Sequence, residues 1–295
     1  MSVEFRPNVR YRMPAVFGPA PGPRQKPDGT PWQASETGTM SCRWCAVSYL
    51  TERAKLEQLL PTGFTLRGDP VVTVHLSHFR NLYWLAGRGY GIVVTDFPVV
   101  YEGKRETIVG TFCAAMWEGI PDAVMTGREE LGFPKLFADI PPFASSDAGT
   151  KVSGHAEWFG HRFMDFEVHG LTETTGDRAL PGGGGAAMYF KYLPNTSIGG
   201  AGGADAAYVT TSHPPLGSSA DPSPVRFGDF SFKKWKGAGT VRWHRATFEQ
   251  LPTTFHVVNG LAELNIVDYV GAEMIEFEGP GIGVSAGVMR AVEPA

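Results

Sequence analysis

The chain has 295 residues, 42% of them hydrophobic, which suffices to bury one large core or two small ones. Charged residues make up 19% and the net charge is −4 with no basic stripe, so neither a disordered chain nor a nucleic-acid binder fits. No apolar run is long enough to span a membrane, and Met1 to Arg6 lacks a signal-peptide core, so a soluble cytoplasmic protein is expected.

Residues 1 to 40 are rich in Pro, Gly and Arg and read as an arm or long loop ahead of a single domain over 41–295. Such an arm either wraps a neighbouring subunit or hangs as a mobile terminus, and its aromatic and proline content favours docking. Ser41 to Tyr49 is strand-like. Cys42-Arg43-Trp44-Cys45 has C-x-x-C spacing, but strand alternation throws the two cysteines onto opposite faces, so buried structural cysteines are expected rather than a metal or redox pair. Thr51 caps a helix from Glu52 to Leu60, which Pro61 ends. Val71 to Leu76 alternates as a strand, Asn81 to Gly89 is a turn or loop, and Tyr90 to Tyr101 and Glu106 to Trp117 form a hairpin around Glu102-Gly103-Lys104. The second of these runs is apolar enough to be buried on both faces.

Asp122 to Leu131 reads as a helix with Asp122 as N-cap and Gly132 as its stop. Pro134 forbids continuation and fixes Lys135 on a corner between Phe133-Pro134 and Leu136-Phe137. A lysine walled by apolar groups loses hydration of its ammonium, its pKa falls, and the free amine can attack a ketone. Most lysines are solvated surface groups, so the composition alone does not single this one out.

Further on, Lys151 to Trp158 pairs with Arg162 to His169 across Phe159-Gly160-His161. The glycine runs Gly182 to Gly185 and Gly199 to Gly203 lack phosphate-loop spacing and read as connections around a strand from Met188 to Leu193. Ser212 to Pro224 is a proline-rich loop. Phe227 to Trp235, Gly239 to Phe248, Glu273 to Glu278 and Gly283 to Val292 look like strands, and Thr253 or Thr254 caps a short helix through Glu263. The expected fold is α+β and mostly antiparallel β: a curved sheet or β-barrel around a buried pocket, with a few short helices.

Gly127-Arg128-Glu129 leading to Leu131-Gly132-Phe133-Pro134-Lys135 resembles the signature of the acetoacetate decarboxylase family. Weaker echoes lie at Tyr49 to Leu66 and Lys191-Tyr192-Leu193-Pro194-Asn195, and the resemblance runs from about Cys42 to Glu278. It implies a cone-like antiparallel barrel, no cofactor and no metal, and Lys135 as a Schiff-base nucleophile. In that family a neighbouring cation activates the lysine. Here the next residue is Leu136, and two positions where the family has acids fall on Ile92 and His75, with Asp96 as a stand-in. The family's carboxylate-binding arginine falls near Arg43. His75 is the candidate proton-transfer group, with a structural histidine as the plain alternative. Tyr90, Glu118 and Tyr269 are candidate substrate contacts.

Together these point to a lyase that forms an imine between Lys135 and a keto acid, then performs aldol or retro-aldol chemistry on an aldehyde with dehydration. A β-keto acid decarboxylase is the first alternative, and a non-catalytic binding protein with the same pocket is the second. The arm and the apolar strands predict a homo-oligomer, a dimer or tetramer.

Overall fold

The computed structural model describes residues 4–146, 149–175, 186–197, 202–212, 229–281 and 289–292. Its strands are β1 (Thr39–Leu50), β2 (Phe64–Leu66), β3 (Val71–Leu82), β4 (Arg88–Glu102), β5 (Thr107–Glu118), β6 (Lys135–Phe137), β7 (Ala144–Ser146), β8 (Lys151–Trp158), β9 (His161–Thr174), β10 (Ala186–Pro194), β11 (Ala204–Thr211), β12 (Ser231–Trp243), β13 (Asp268–Pro280) and β14 (Arg290–Val292). The helices are α1 (Arg53–Glu57), α2 (Pro121–Thr126) and α3 (Phe255–Ala262). All strands join one sheet in the order β14-β11-β10-β5-β4-β3-β1-β13-β12-β9-β8-β7, with β2 on β4 and β6 on β5. The sheet is open rather than a closed barrel, and it is mixed, because β10 and β6 both pair with β5 in parallel.

Cross-strand partners share a face, and faces alternate along each strand. One face carries Cys45, Val47 and Tyr49 of β1, Val72, Val74 and Leu76 of β3, and Val93, Phe97 and Val99 of β4; it is the main core. The other face carries Trp44, His75, Ile92, Val94 and Asp96. A bulge after Thr95, where Ala115 and Cys113 bracket an unpaired Ala114, turns Cys113 to the same side as Met116 and Glu118. This second face is the one that α2 and the arm approach.

Several elements differ from the sequence reading. The helix at Asp122 to Leu131 is two pieces: α2 starts at Pro121, well suited to the first helical position, and Gly127–Leu131 follows as a π turn. Asp122 therefore lies in the first turn and is not the cap. Gly132 does end the run, with φ 79° in the left-handed region. Helix α1 spans only Arg53–Glu57 with Glu52 at its N-cap, and Thr51 Oγ1 is buried without a partner among the described residues. Strand β3 continues through Asn81 to Leu82, where a loop was expected, and β12 is one strand where two were read. Strand β11 was not foreseen. The outer half of β5 is not buried on both faces; Val109 is 48% exposed. Phe159 and Gly160, both at positive φ, form the tight turn joining β8 and β9. The run Gly182 to Gly185, most of Ser212 to Pro224 and residues 283–288 lie outside the described residues.

The arm folds back on its own chain. Gln25, only 3% exposed, bonds Arg10 N, Arg10 O and Ala20 O, and Trp32 Nε1 donates to Gly22 O. Trp32 and Ala34 pack on the second face of the sheet with Cys42, Phe79 and Tyr90.

Candidate active site

Lys135 opens β6, where Pro134 ends the preceding turn and pairing with Met116 of β5 fixes its side chain on the second face. It is 6% exposed. Its Nζ lies 2.7 Å from Glu118 Oε1, donates to Ala123 O at 3.2 Å, and sits 5.2 Å from the Phe133 ring centre. The Phe133 ring packs on Tyr189 of β10 at 4.0 Å.

Burial is the largest influence on Lys135 and pulls its pKa below the ordinary lysine value; the Arg24 guanidinium pushes the same way, while Glu118 opposes both. Burial likewise raises the Glu118 carboxyl above the usual carboxylate range, against the pull of Lys135 and Arg24. Burial thus works against the charged form of both groups, while their mutual contact works for it. Glu118 Oε2 has no partner among the described residues.

Arg24 was not anticipated as a site residue. It arrives from the arm, is 6% exposed, and bonds Glu130 Oε2 through Nε at 2.7 Å. Its guanidinium is close enough to act on the Lys135 ammonium from the side of the arm. Leu136 pairs with Trp117 and packs into the main core, so a cation at 136 would face away from Lys135. Ile92, where the resemblance puts an acid, is the register partner of Glu118, so a carboxylate stands at the same level on the neighbouring strand.

Tyr90 stands on the same face. Burial raises its hydroxyl well above the ordinary tyrosine value, and Glu118 adds to this. His75, 3% exposed, faces this side too, three strand positions from Lys135. Its Nε2 lies 2.9 Å from Asp96 Oδ2, its ring packs against Trp44 at 5.1 Å, and its Nδ1 has no partner among the described residues. Cys113 lies between the two groups: burial raises its thiol most, and both Asp96 and Lys135 act on it. Of the residues singled out in the sequence, the structure brings Lys135, Glu118 and Tyr90 together, with His75 and Asp96 alongside.

Arg43 and Tyr269 are not part of this assembly. Arg43 points from the opposite face of β1 to Glu276 at 2.6 Å and to Ser145 Oγ at 2.9 Å, because it lies one residue out of phase with Cys42 and Trp44. It lines a cleft of about 190 Å³ with His78, Arg80 and Glu278. Tyr269 exchanges hydrogen bonds with the Val241 backbone and stands by Tyr49 at the core side. Cys42 and Cys45 are buried, unbonded and in separate clusters on opposite faces.

The structure of an acetoacetate decarboxylase from Legionella pneumophila subsp. pneumophila str. Philadelphia 1 superposes with a TM-score of 0.60 at 17% identity, covering 87% of this chain and 88% of that one. A second acetoacetate decarboxylase structure gives 0.62 at 14%, covering 87% and 90%. The enduracididine biosynthesis enzyme MppR, complexed with the condensation product of pyruvate and imidazole 4-carboxaldehyde, gives 0.58 at 14%, covering 82% and 85%. At these identities the likeness establishes the fold. No curated protein sequence matches the chain. No helix among the described residues is long and apolar enough to cross a membrane. The sequence profile described as acetoacetate decarboxylase (ADC) matches residues 19–278, well over half of the chain and reaching into the arm, and the chain therefore belongs to the acetoacetate decarboxylase family.

Proposed function

We propose that the protein is a lyase that binds a keto acid to Lys135 as a Schiff base and carries the imine into aldol chemistry with dehydration. The observation that carries this reading is the 2.7 Å contact between the buried Nζ of Lys135 and Glu118 Oε1. A free amine beside a carboxylic acid is a nucleophile with its proton donor in place.

The Lys135 amine attacks the keto carbon, and the carbonyl oxygen takes a proton from Glu118. The resulting carbinolamine breaks its C–O bond and releases water, leaving the iminium. Loss of a proton from the neighbouring carbon to the Glu118 carboxylate gives an enamine. That carbon attacks the carbonyl carbon of an aldehyde, whose oxygen takes up a proton. Departure of this oxygen as water, with a second proton from the same carbon, gives an unsaturated product. Water then hydrolyses the imine and frees Lys135.

These steps need proton transfers at two places, the imine and the acceptor carbonyl. Glu118 serves the first. His75 is assigned to the second, with Asp96 holding its Nε2 and Nδ1 left for the substrate. Tyr90, kept neutral by burial, is assigned to hold a substrate carbonyl oxygen. No cofactor enters these steps. Arg43 and Tyr269 take no role in this reading. The MppR relative, crystallised with a pyruvate–aldehyde condensation product, is in keeping with substrates of this class.

Decarboxylation of a β-keto acid is the second reading, favoured by Arg24, which supplies a cation near Lys135 where Leu136 does not. Borohydride reduction with pyruvate is expected to place the adduct mass on Lys135 and to leave Lys135→Ala protein unmodified; no adduct on Lys135 rejects both enzymes in favour of a binding protein. Carbon dioxide from acetoacetate without condensation on any aldehyde selects the decarboxylase. The reading includes an assembly of two or four copies, in keeping with the exposed Met13, Val16 and Phe17 on the arm. A monomer mass by light scattering at micromolar concentration rejects that part.

A further inference from the structure

The second face of the sheet carries a tyrosine that the steps above leave idle. On β10, Met188 pairs in parallel with Phe112 of β5, and both lie in the main core. The next residue, Tyr189, therefore falls on the second face, level with Cys113. Asp96 is the register partner of Cys113, so Asp96, Cys113 and Tyr189 form a row across β4, β5 and β10. The neighbouring row on this face is His75, Val94, Met116 and Lys135, each the register partner of the next. Four polar side chains thus stand around a floor of Val94, Met116 and Cys113. Lys135 and Tyr189 occupy one flank, His75 and Asp96 the other.

Tyr189 is tied to the Lys135 end through Phe133. Its ring lies 4.0 Å from the Phe133 ring, which itself stands 5.2 Å from Lys135 Nζ. Its hydroxyl also feels the opposite flank. Burial raises it well above the ordinary tyrosine value, and Cys113 and then Asp96 push the same way, so at neutral pH it is a donor and not a phenolate. The hydroxyl has no hydrogen-bond partner among the described residues, and the side chain is half-buried rather than sealed in. Packing on Phe133 needs only the ring. A phenylalanine would pack there as well and would bring no oxygen to satisfy.

We propose that Tyr189 is a further catalytic residue, whose hydroxyl donates a hydrogen bond to the former aldehyde oxygen, on the second carbon beyond the imine carbon. When the enamine carbon attacks the aldehyde carbon, the C=O electron pair moves onto that oxygen, and a donor already in place stabilises the charge as it develops. Tyr189 keeps its own proton; the proton that neutralises the oxygen comes from His75, on the opposite flank. Tyr90 and Glu118 lie beyond Lys135 on the other side from Tyr189, with the oxygen that leaves when the imine forms. The inference rests on the Lys135 imine reading and deepens it by naming a substrate class, the 4-hydroxy-2-oxo acids, whose 4-oxygen meets Tyr189.

The test is borohydride trapping with two keto acids of equal chain length: 4-hydroxy-2-oxobutyrate, which carries that oxygen, and 2-oxobutyrate, which lacks it. Every lysine adduct left by the first is counted, whether intact or cleaved. Tyr189→Phe keeps the ring on Phe133 and removes only the oxygen. It should lower trapping of the hydroxylated probe about tenfold, the size of one well-placed hydrogen bond, while leaving 2-oxobutyrate within threefold of wild type. Condensation of pyruvate with an aldehyde should fall about a hundredfold or more, as for a lost oxyanion donor. Equal losses with both probes mean that Tyr189 only shapes the surroundings of Lys135, and overturn the proposal. Unchanged trapping of the hydroxylated probe, or condensation within threefold of wild type, overturns it too. Wild-type protein that traps neither probe overturns the imine reading itself, and the proposal with it.

Discussion

Gly127 and Lys135 compete for the same space: a Cβ on Gly127 would lie 2.4 Å from both Cδ and Cε of Lys135 and 2.6 Å from its Nζ. The backbone at Gly127 is ordinary right-handed helix, φ −71° and ψ −44°, so glycine is needed there for room and not for conformation.

The first prediction follows from that contact. In Gly127→Ala the methyl group displaces the flexible end of the lysine, while the helix gains up to about 1 kcal/mol of propensity. Thermal stability should hold within a few degrees. Nζ, pushed off Glu118 by about an ångström, should form the trapped imine on the order of a hundredfold more slowly. Trapping within threefold of wild type refutes the placement of the nucleophile.

A second prediction concerns the buried pair. The folded-state pKa of Lys135 is lowered, so between that value and the ordinary lysine value of about 10.4 the unfolded chain binds more protons, and stability rises with pH. Glu118 is the reverse. Its folded value is raised, so stability falls as pH climbs from the ordinary carboxylate value of about 4.3 to that raised value. Lys135→Met leaves Glu118 buried alone, and the loss should grow from pH 5 to pH 8, to about 3 kcal/mol or more. The double variant Lys135→Met, Glu118→Gln removes both titrations and should return close to wild-type stability at pH 8. Urea unfolding of the single and double variants at the two pH values decides this; a double variant no more stable than the single one rejects the coupling.

The lysine corner was legible because proline, glycine and apolar neighbours constrain a backbone locally, and the strand alternation that carries Cys42 and Cys45 to opposite faces was legible for the same reason. Arg24 was not. It lies in an arm without periodicity, and its contact with Glu130 spans 106 positions. The family's acidic position fell on Ile92 with Asp96 as stand-in; that Glu118 is the register partner of Ile92 and the carboxylate at Lys135 could not be read, because strand register is not written in either strand alone. Arg43 illustrates the same limit: one residue of phase moves a side chain to the opposite face.

Arg43 gives the third prediction. Its ion pair with Glu276 is about one-third exposed on both sides, 35% and 38%, so its loss should cost under about 1 kcal/mol. Arg43→Ala should keep pyruvate trapping within threefold of wild type. A hundredfold loss without unfolding would return the carboxylate-binding role to Arg43.

The last prediction separates imine formation from the chemistry that follows. His75 faces the same side of the sheet as Lys135 but stands three strand positions away, and its ring nitrogen pairs with Asp96 rather than with Lys135. Asp96 accepts or shares the proton on Nε2 at 2.9 Å, which fixes the ring and leaves Nδ1 as the exchanging site. A group so placed is suited to the acceptor aldehyde, whose oxygen must gain a proton when the carbon–carbon bond forms and again when water leaves. His75→Gln keeps the size and polarity of the side chain but not its proton transfer. It should leave borohydride trapping of pyruvate within threefold of wild type while lowering condensation with an aldehyde by about 100- to 10,000-fold, the range for a lost general acid–base group. Asp96→Asn should act in the same direction, because the histidine loses the carboxylate that orients it. Trapping and condensation measured side by side on the same preparations decide the matter. Parallel loss of both would place His75 among the groups that hold Lys135 in position, and loss of neither would make it a packed core histidine.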